Sequence, residues 1–168
     1  MSAIKETKEV NKVLDFLNTI GVAVVEKKLP NDTFLPGLSI GANCLEIDFE
    51  KLLYPGDILH EAGHLAVTPS VQRNLIGTKD MPEEWPTQGD EIASMLWSFA
   101  ALKHLNLPID FVFHANGYKN QSGWFIENYS NGNYMGLPLL QWMGLTTSET
   151  NETNKDIAFP NMIKWLRD

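Results

Sequence analysis

Apolar residues recur at helical spacing through Val10, Val13, Leu14, Leu17 and Ile20, and Gly21 follows as a stop. The spacing predicts an amphipathic helix over residues 4–20. Residues 22–29 are short and β-branched, which predicts a strand. Turn chemistry follows at Pro30-Asn31-Asp32 and at Leu35-Pro36-Gly37. Residues 38–49 read as a second strand region with Gly41 as a bend. A helix and a small antiparallel sheet are therefore expected first.

The pattern then changes. Tyr54-Pro55-Gly56-Asp57 is a helix-start signal, and residues 58–68 are helical up to Pro69. A loop rich in Pro, Gly and charge fills residues 69–89. A second helix is expected over 90–105, with apolar Ile92, Met95, Leu96, Phe99, Ala100 and Leu102. Residues 108–168 read as short helices between Asn- and Gly-rich loops. Within them, residues 146–155 are polar enough to be mobile. Phe159, Pro160, Met162, Ile163 and Leu166 suggest a closing amphipathic helix. Trp97 and Trp142 sit in apolar helical runs and are expected in the core, whereas Trp85, between Glu84 and Pro86, is placed to shape a pocket rim. The order of elements predicts an α+β fold with segregated helices and strands.

Composition narrows the function classes. The chain has 168 residues, 43% hydrophobic and 20% charged, which suits one globular domain spanning residues 1–168. A net charge of −8 leaves no basic face for nucleic acid or for an anionic membrane surface. One cysteine, Cys44, allows no intrachain disulfide. The polar N-terminus lacks the apolar run of a signal peptide, and no stretch reaches the length of a membrane span, so a cytoplasmic location is expected.

The chemistry concentrates in His60-Glu61-Ala62-Gly63-His64. On a helix, positions i and i+4 lie on one face, so both imidazoles can converge on one ion. Catalytic zinc sites take three protein ligands and leave the fourth position to water. Glu61, beside the first ligand, can reach that water and accept its proton. Gly63 costs a helix about 1 kcal/mol relative to Ala, which an ordinary helix has no reason to accept and a helix packed closely against another backbone does. The competing reading is two surface histidines with a salt-bridging glutamate.

A third protein ligand is needed, and Glu91, near the start of an otherwise apolar helix, is the best supplier. Its plain structural reading is a carboxylate favoured by the helix dipole. Asp57, His104, His114 and Cys44 are rival ligands. An oxyanion donor would come from His114, Tyr118, Tyr129 or Tyr134, with His114 and Tyr134 ranked first.

The pair of histidines followed by a glutamate-bearing helix resembles the gluzincin branch of the zincin metallopeptidases, the thermolysin-like enzymes among them. There a Gly-x-x-Asn-Glu-x-x-Ser-Asp helix supplies the third ligand. Gly89-Asp90-Glu91-Ile92-Ala93-Ser94-Met95 is similar, with Glu91 at the ligand position and Ser94 matching. Asp90 replaces the Asn, and Met95 stands where the family has the Asp that braces a ligand histidine, a role open to Asp90, Asp57 or a backbone carbonyl. The resemblance covers residues 58–99. It implies a small zincin-like domain, its sheet packed on the two helices, holding one Zn2+ through His60, His64 and Glu91. Glu61 would be the general base, and a peptide or small amide the substrate, the peptide belonging in one version to a dedicated protein partner. Asn43-Cys44-Leu45-Glu46 faintly echoes the peptide deformylases, whose third ligand is an upstream Cys, and implies the alternative of a Cys44-liganded amidohydrolase. A metal-binding regulatory protein without catalysis is the other alternative.

Overall fold

The computed structural model describes residues 3–147 and 157–168. Helix α1 (Lys8–Ile20) begins later than its apolar spacing suggests because the Thr7 side chain accepts from the Val10 N–H and caps it. It ends at Gly21, left-handed at φ 89°, as the stop signal requires. Val10, Val13, Phe16 and Leu17 form its buried stripe.

The sheet holds three strands, β1 (Ala23–Glu26), β2 (Leu38–Gly41) and β3 (Cys44–Ile47), in the order β1-β3-β2. What reads as one strand region over 38–49 is the hairpin β2–β3, turning at Asn43 with φ 51°. The sheet is mixed, not antiparallel: β3 pairs antiparallel with β2 and parallel with β1. The cause is the crossing segment 27–37, which carries the chain past the central position to the far edge, so the hairpin returns β3 alongside β1. Asp48 anchors that crossing, accepting from the Leu29 N–H at 3.0 Å and the Glu50 N–H at 3.2 Å. Gly37 (φ 75°) completes it, since a Cβ there would stand 2.5 Å from the Leu52 nitrogen.

Six helices complete the α+β fold among the described residues: α1, α2 (Asp57–Val67), the single turn α3 (Ser70–Arg73), α4 (Gln88–His104), α5 (Ser122–Ser130) and α6 (Leu137–Trp142). Every residue of α2 except Glu61 is buried, and ten consecutive residues of α4, Ala93 to Leu102, are buried as well. The two helices pack directly on each other at the centre of the core. Gly63 makes the close approach possible: a Cβ on it would lie 2.9 Å from the Ser94 carbonyl oxygen and 3.2 Å from its Cα. Helix α4 starts two residues earlier than expected because Thr87 and Asp90 form a reciprocal capping box.

The C-terminal segment departs from its pattern. Residues 157–168 form turns and bends in place of a helix. Pro160 brings no N–H, and the remaining backbone groups are spent on the core. The Ile163 N–H donates to the Leu145 carbonyl and the Arg167 N–H to that of Ala66, while the Trp165 carbonyl accepts from the Trp97 indole at 2.9 Å. Trp97 is fully buried, as expected, but Trp142 is 73% exposed, with the Arg167 guanidinium 4.7 Å over its ring. Of the polar stretch 146–155, residues 148–155 lie outside the described residues, and Thr146 is buried with its hydroxyl donating to the Asn161 carbonyl. No described helix is long and apolar enough to cross a membrane.

Candidate metal centre

Helix α2 presents His60 and His64 on one face, their ring centroids 4.9 Å apart. Glu91 reaches them from the first turn of α4, with Oε1 3.0 Å from His60 Nε2 and Oε2 3.0 Å from His64 Nε2. One carboxylate thus spans both imidazoles, and the nitrogen each ring would offer to an ion points at it. In a tetrahedral site with bonds of about 2.0–2.1 Å the donors stand about 3.3 Å apart, so each imidazole already stands from a Glu91 oxygen at about the spacing of two ligands on one ion. Glu61 belongs to the same cluster: His60, Glu61 and His64 each offer a donor atom within 4.8 Å of the others. Glu91 pairs with both rings at 3.0 Å, whereas Glu61 is the carboxylate that shares the histidines' own helix and their donor cluster.

The charges reinforce one another. Burial raises the Glu61 carboxyl above its ordinary value, against the pull of the two histidines. Burial acts to raise Glu91 too, but its hydrogen bonds to both imidazoles hold it far below the usual carboxylate range. Burial works against protonation of His60, yet the Glu91 bond and the charges of Glu91, Glu61 and Asp57 raise its pKa on balance. The Nδ1 atoms of His60 and His64 are buried and have no hydrogen-bond partner among the described residues. Neither aspartate weighed as their brace takes that role: Asp90 is held by Thr87, and Asp57 lies 2.7 Å from His114 Nε2.

A cleft of about 400 Å³ opens beside the cluster, with His60, Glu91, Asp57, His114, Tyr54 and Tyr118 in its wall. His114 stacks on Tyr54, centroids 4.2 Å apart and planes 18° from parallel, and its bond to Asp57 ties it to the first turn of α2. Burial is the first cause raising the Asp57 carboxyl, and the His114 bond opposes it. Tyr118 stands edge-on to His60 at 5.7 Å. Its hydroxyl is buried and unpartnered among the described residues, and burial together with the charges of Asp57 and Glu91 pushes its pKa well above 10.0. Tyr118, Lys119 and Asn120 all hold positive φ, at 56°, 51° and 66°, a run that L residues rarely adopt.

The other candidates lie elsewhere. Tyr134 packs on Phe99 and Phe159, at 5.8 and 4.6 Å between centroids, and does not line the cleft. Tyr129 is buried against Phe99, Phe113 and Phe125. His104 is exposed against Phe16 and Trp165. Cys44 sits in β3 opposite Gly41 and outside the His60 cluster, so the Cys44 ligand set is not assembled. Trp85 lies beside His64, centroids 6.1 Å apart, and its indole donates to the Thr68 hydroxyl. Tyr118 is the residue the ranking passed over. The signal available for it was its place in the glycine-bearing segment that also delivers His114.

Comparison of the chain with protein-family models, with curated proteins and with solved structures finds no match.

Proposed function

We propose that the protein is a zinc-dependent hydrolase of peptide or amide bonds on a zincin-like scaffold. The observation that carries the reading is the convergence of Glu91, from a separate helix, on the Nε2 atoms of both His60 and His64 at 3.0 Å. Two histidines and one carboxylate are a donor set that zinc takes in catalytic sites, and their spacing fits it. His60, His64 and Glu91 would hold the ion. Bound there, the ion would supply Lewis acidity and make water more acidic.

The chain's own groups do the rest. Glu61, half-buried beside the cluster, accepts a proton as water attacks the carbonyl carbon and returns it to the departing amine. Burial of its carboxyl brings its basicity toward the range such a transfer needs. Tyr118 is the donor best placed for the developing oxyanion, because its hydroxyl is already desolvated and has no partner among the described residues. His114 is held in place by Asp57 and Tyr54 and is the second donor on the same wall.

Elemental analysis of the purified wild type, Glu91→Ala and Glu61→Gln tests the reading. Wild type and Glu61→Gln carry about one zinc each, Glu91→Ala loses it, and Glu61→Gln loses turnover on an amide panel. Zinc bound by a wild type that hydrolyses no amide would favour a non-catalytic metal-binding protein. No zinc uptake even when zinc is supplied would refute the site.

A further inference from the structure

His60 and His64 stand on α2 and Glu91 on α4, so the spacing of the three side chains depends on how the two helices are held together. Beyond His64, side chains make the connection. Helix α2 stops before Pro69, which keeps Thr68 extended at ψ 133°. The Thr68 N–H therefore turns to the Leu65 carbonyl, and the Thr68 hydroxyl donates to the His64 carbonyl at 2.6 Å in its place. With that proton committed, the hydroxyl oxygen accepts from the Trp85 indole N–H at 3.1 Å. Thr68 is 1% exposed, so the two bonds form a chain shielded from water, in which each strengthens the other. The Trp85 ring also packs near-perpendicular to the His64 imidazole, with 6.1 Å between centroids.

Trp85 does not line the cleft. It stands just before Thr87, whose side chain caps α4 and whose carbonyl accepts from the Glu91 N–H at 3.0 Å. The indole bond to Thr68 thus joins the segment that delivers Glu91 to the residue one turn beyond His64. We propose that Trp85 and Thr68 clasp the start of α4 to the end of α2 and are positioning residues for the metal, fixing Glu91 against His64. The proposal rests on His60, His64 and Glu91 being the metal ligands and on no catalytic step. Neither side chain touches the ion. Their effect is to hold its ligands in place before it arrives, so that binding does not have to order them.

The test measures zinc Kd by chelator competition in wild type, Thr68→Ser, Thr68→Val, Trp85→Phe and the Thr68→Val/Trp85→Phe double variant. Thr146→Val is the control, since that hydroxyl is also buried but donates to the Asn161 carbonyl, away from the site. Thr68→Val and Trp85→Phe should each weaken zinc binding about tenfold, as changes behind metal ligands do. The double variant should be little worse than Thr68→Val, because both changes break one bond. Thr68→Ser, which keeps the hydroxyl, should bind like wild type, and Thr146→Val should lose stability in urea without losing zinc. With Co2+ in place of zinc, the visible spectrum should change in Thr68→Val and Trp85→Phe and match wild type in Thr68→Ser. Trp85→Phe leaves a ring at a half-buried position, so the test survives if Thr68→Val fails to fold. Unchanged Kd and Co2+ spectra in these variants, or losses that simply add in the double variant, would overturn the clasp and leave the metal site standing. A wild type that takes up no zinc sinks the metal reading, and the clasp with it.

Discussion

Replacing Gly63 by alanine sets two effects of opposite sign against each other. Alanine improves helix propensity by about 1 kcal/mol over glycine, which is the whole effect on an open helix surface. At position 63 the added Cβ would lie 2.9 Å from the Ser94 carbonyl oxygen, 3.2 Å from Ser94 Cα and 3.3 Å from Trp97 Cε3. Two of these atoms are backbone in the middle of a buried helix, and the third belongs to a fully buried indole pinned to the Trp165 carbonyl. None can yield without moving α4, and overpacking of this kind costs about 1–3 kcal/mol. The net expectation is destabilisation of about 1 kcal/mol, read by urea denaturation. A second consequence is geometric. Ser94 lies one turn beyond Glu91, so the shift that relieves the clash drags the carboxylate away from His60 and His64. Zinc affinity in a competitive chelator titration should fall about tenfold or more, as for changes to a site's supporting residues. Gly123→Ala is the control: no atom lies within 4 Å of its added Cβ in α5, so it should stabilise by up to about 1 kcal/mol. Stabilisation by Gly63→Ala, with unchanged zinc affinity, would refute the close-packing account.

Removing the Tyr118 hydroxyl separates function from structure. Tyr118→Phe deletes a buried group with no partner among the described residues, so stability should hold or rise by up to about 1 kcal/mol while kcat on a cleaved amide falls and zinc content stays constant. Loss of stability with unchanged kcat would refute the oxyanion role. Asp48 gives a pH dependence away from the metal. Its carboxyl is held below the usual range, first by the Leu29 N–H, so its contribution is present above the unfolded-state pKa and is lost as pH falls through the lower folded value. Wild type should therefore lose more stability in urea than Asp48→Asn as pH drops from about 5 toward 3, and parallel curves would refute the anchoring role.

The helices that carry the site were legible because their signals are local. His60 and His64 at i and i+4, the Pro69 stop and the apolar run from Ile92 to Leu102 each depend on neighbours within a turn or two. Gly63 was legible for the same reason: its cost in a helix pointed to a close backbone neighbour, and Ser94 is that neighbour. The sheet was less legible. Nothing in residues 22–49 states whether β3 lies beside β1 or beyond β2. That choice rests on long-range bonds such as Leu29 to Asp48. The C-terminal segment misled because its apolar spacing suits a helix, while its backbone groups are more useful to Leu145, Ala66 and Trp97 than to one another.

Of the two donors ranked first, His114 lines the cleft and Tyr134 does not, for a related reason. Tyr134 and Tyr118 both sit in glycine-bearing segments, and in the chain they look alike. What separates them is the partner each ring finds. Tyr134 meets Phe159, twenty-five positions later in the chain, and becomes packing, whereas Tyr118 follows His114 into the cleft because Asp57, on α2, holds that imidazole. Asp57 is one helical turn before His60, so a single helix both presents two of the three proposed metal ligands and recruits the segment carrying the proposed donors. The proposed hydrolytic site would need metal, base and oxyanion donor in fixed relation, and tying the donors to the ligand helix would achieve this in a domain this small. Breaking the Asp57–His114 bond should accordingly displace Tyr118 while leaving the His60, His64 and Glu91 contacts intact.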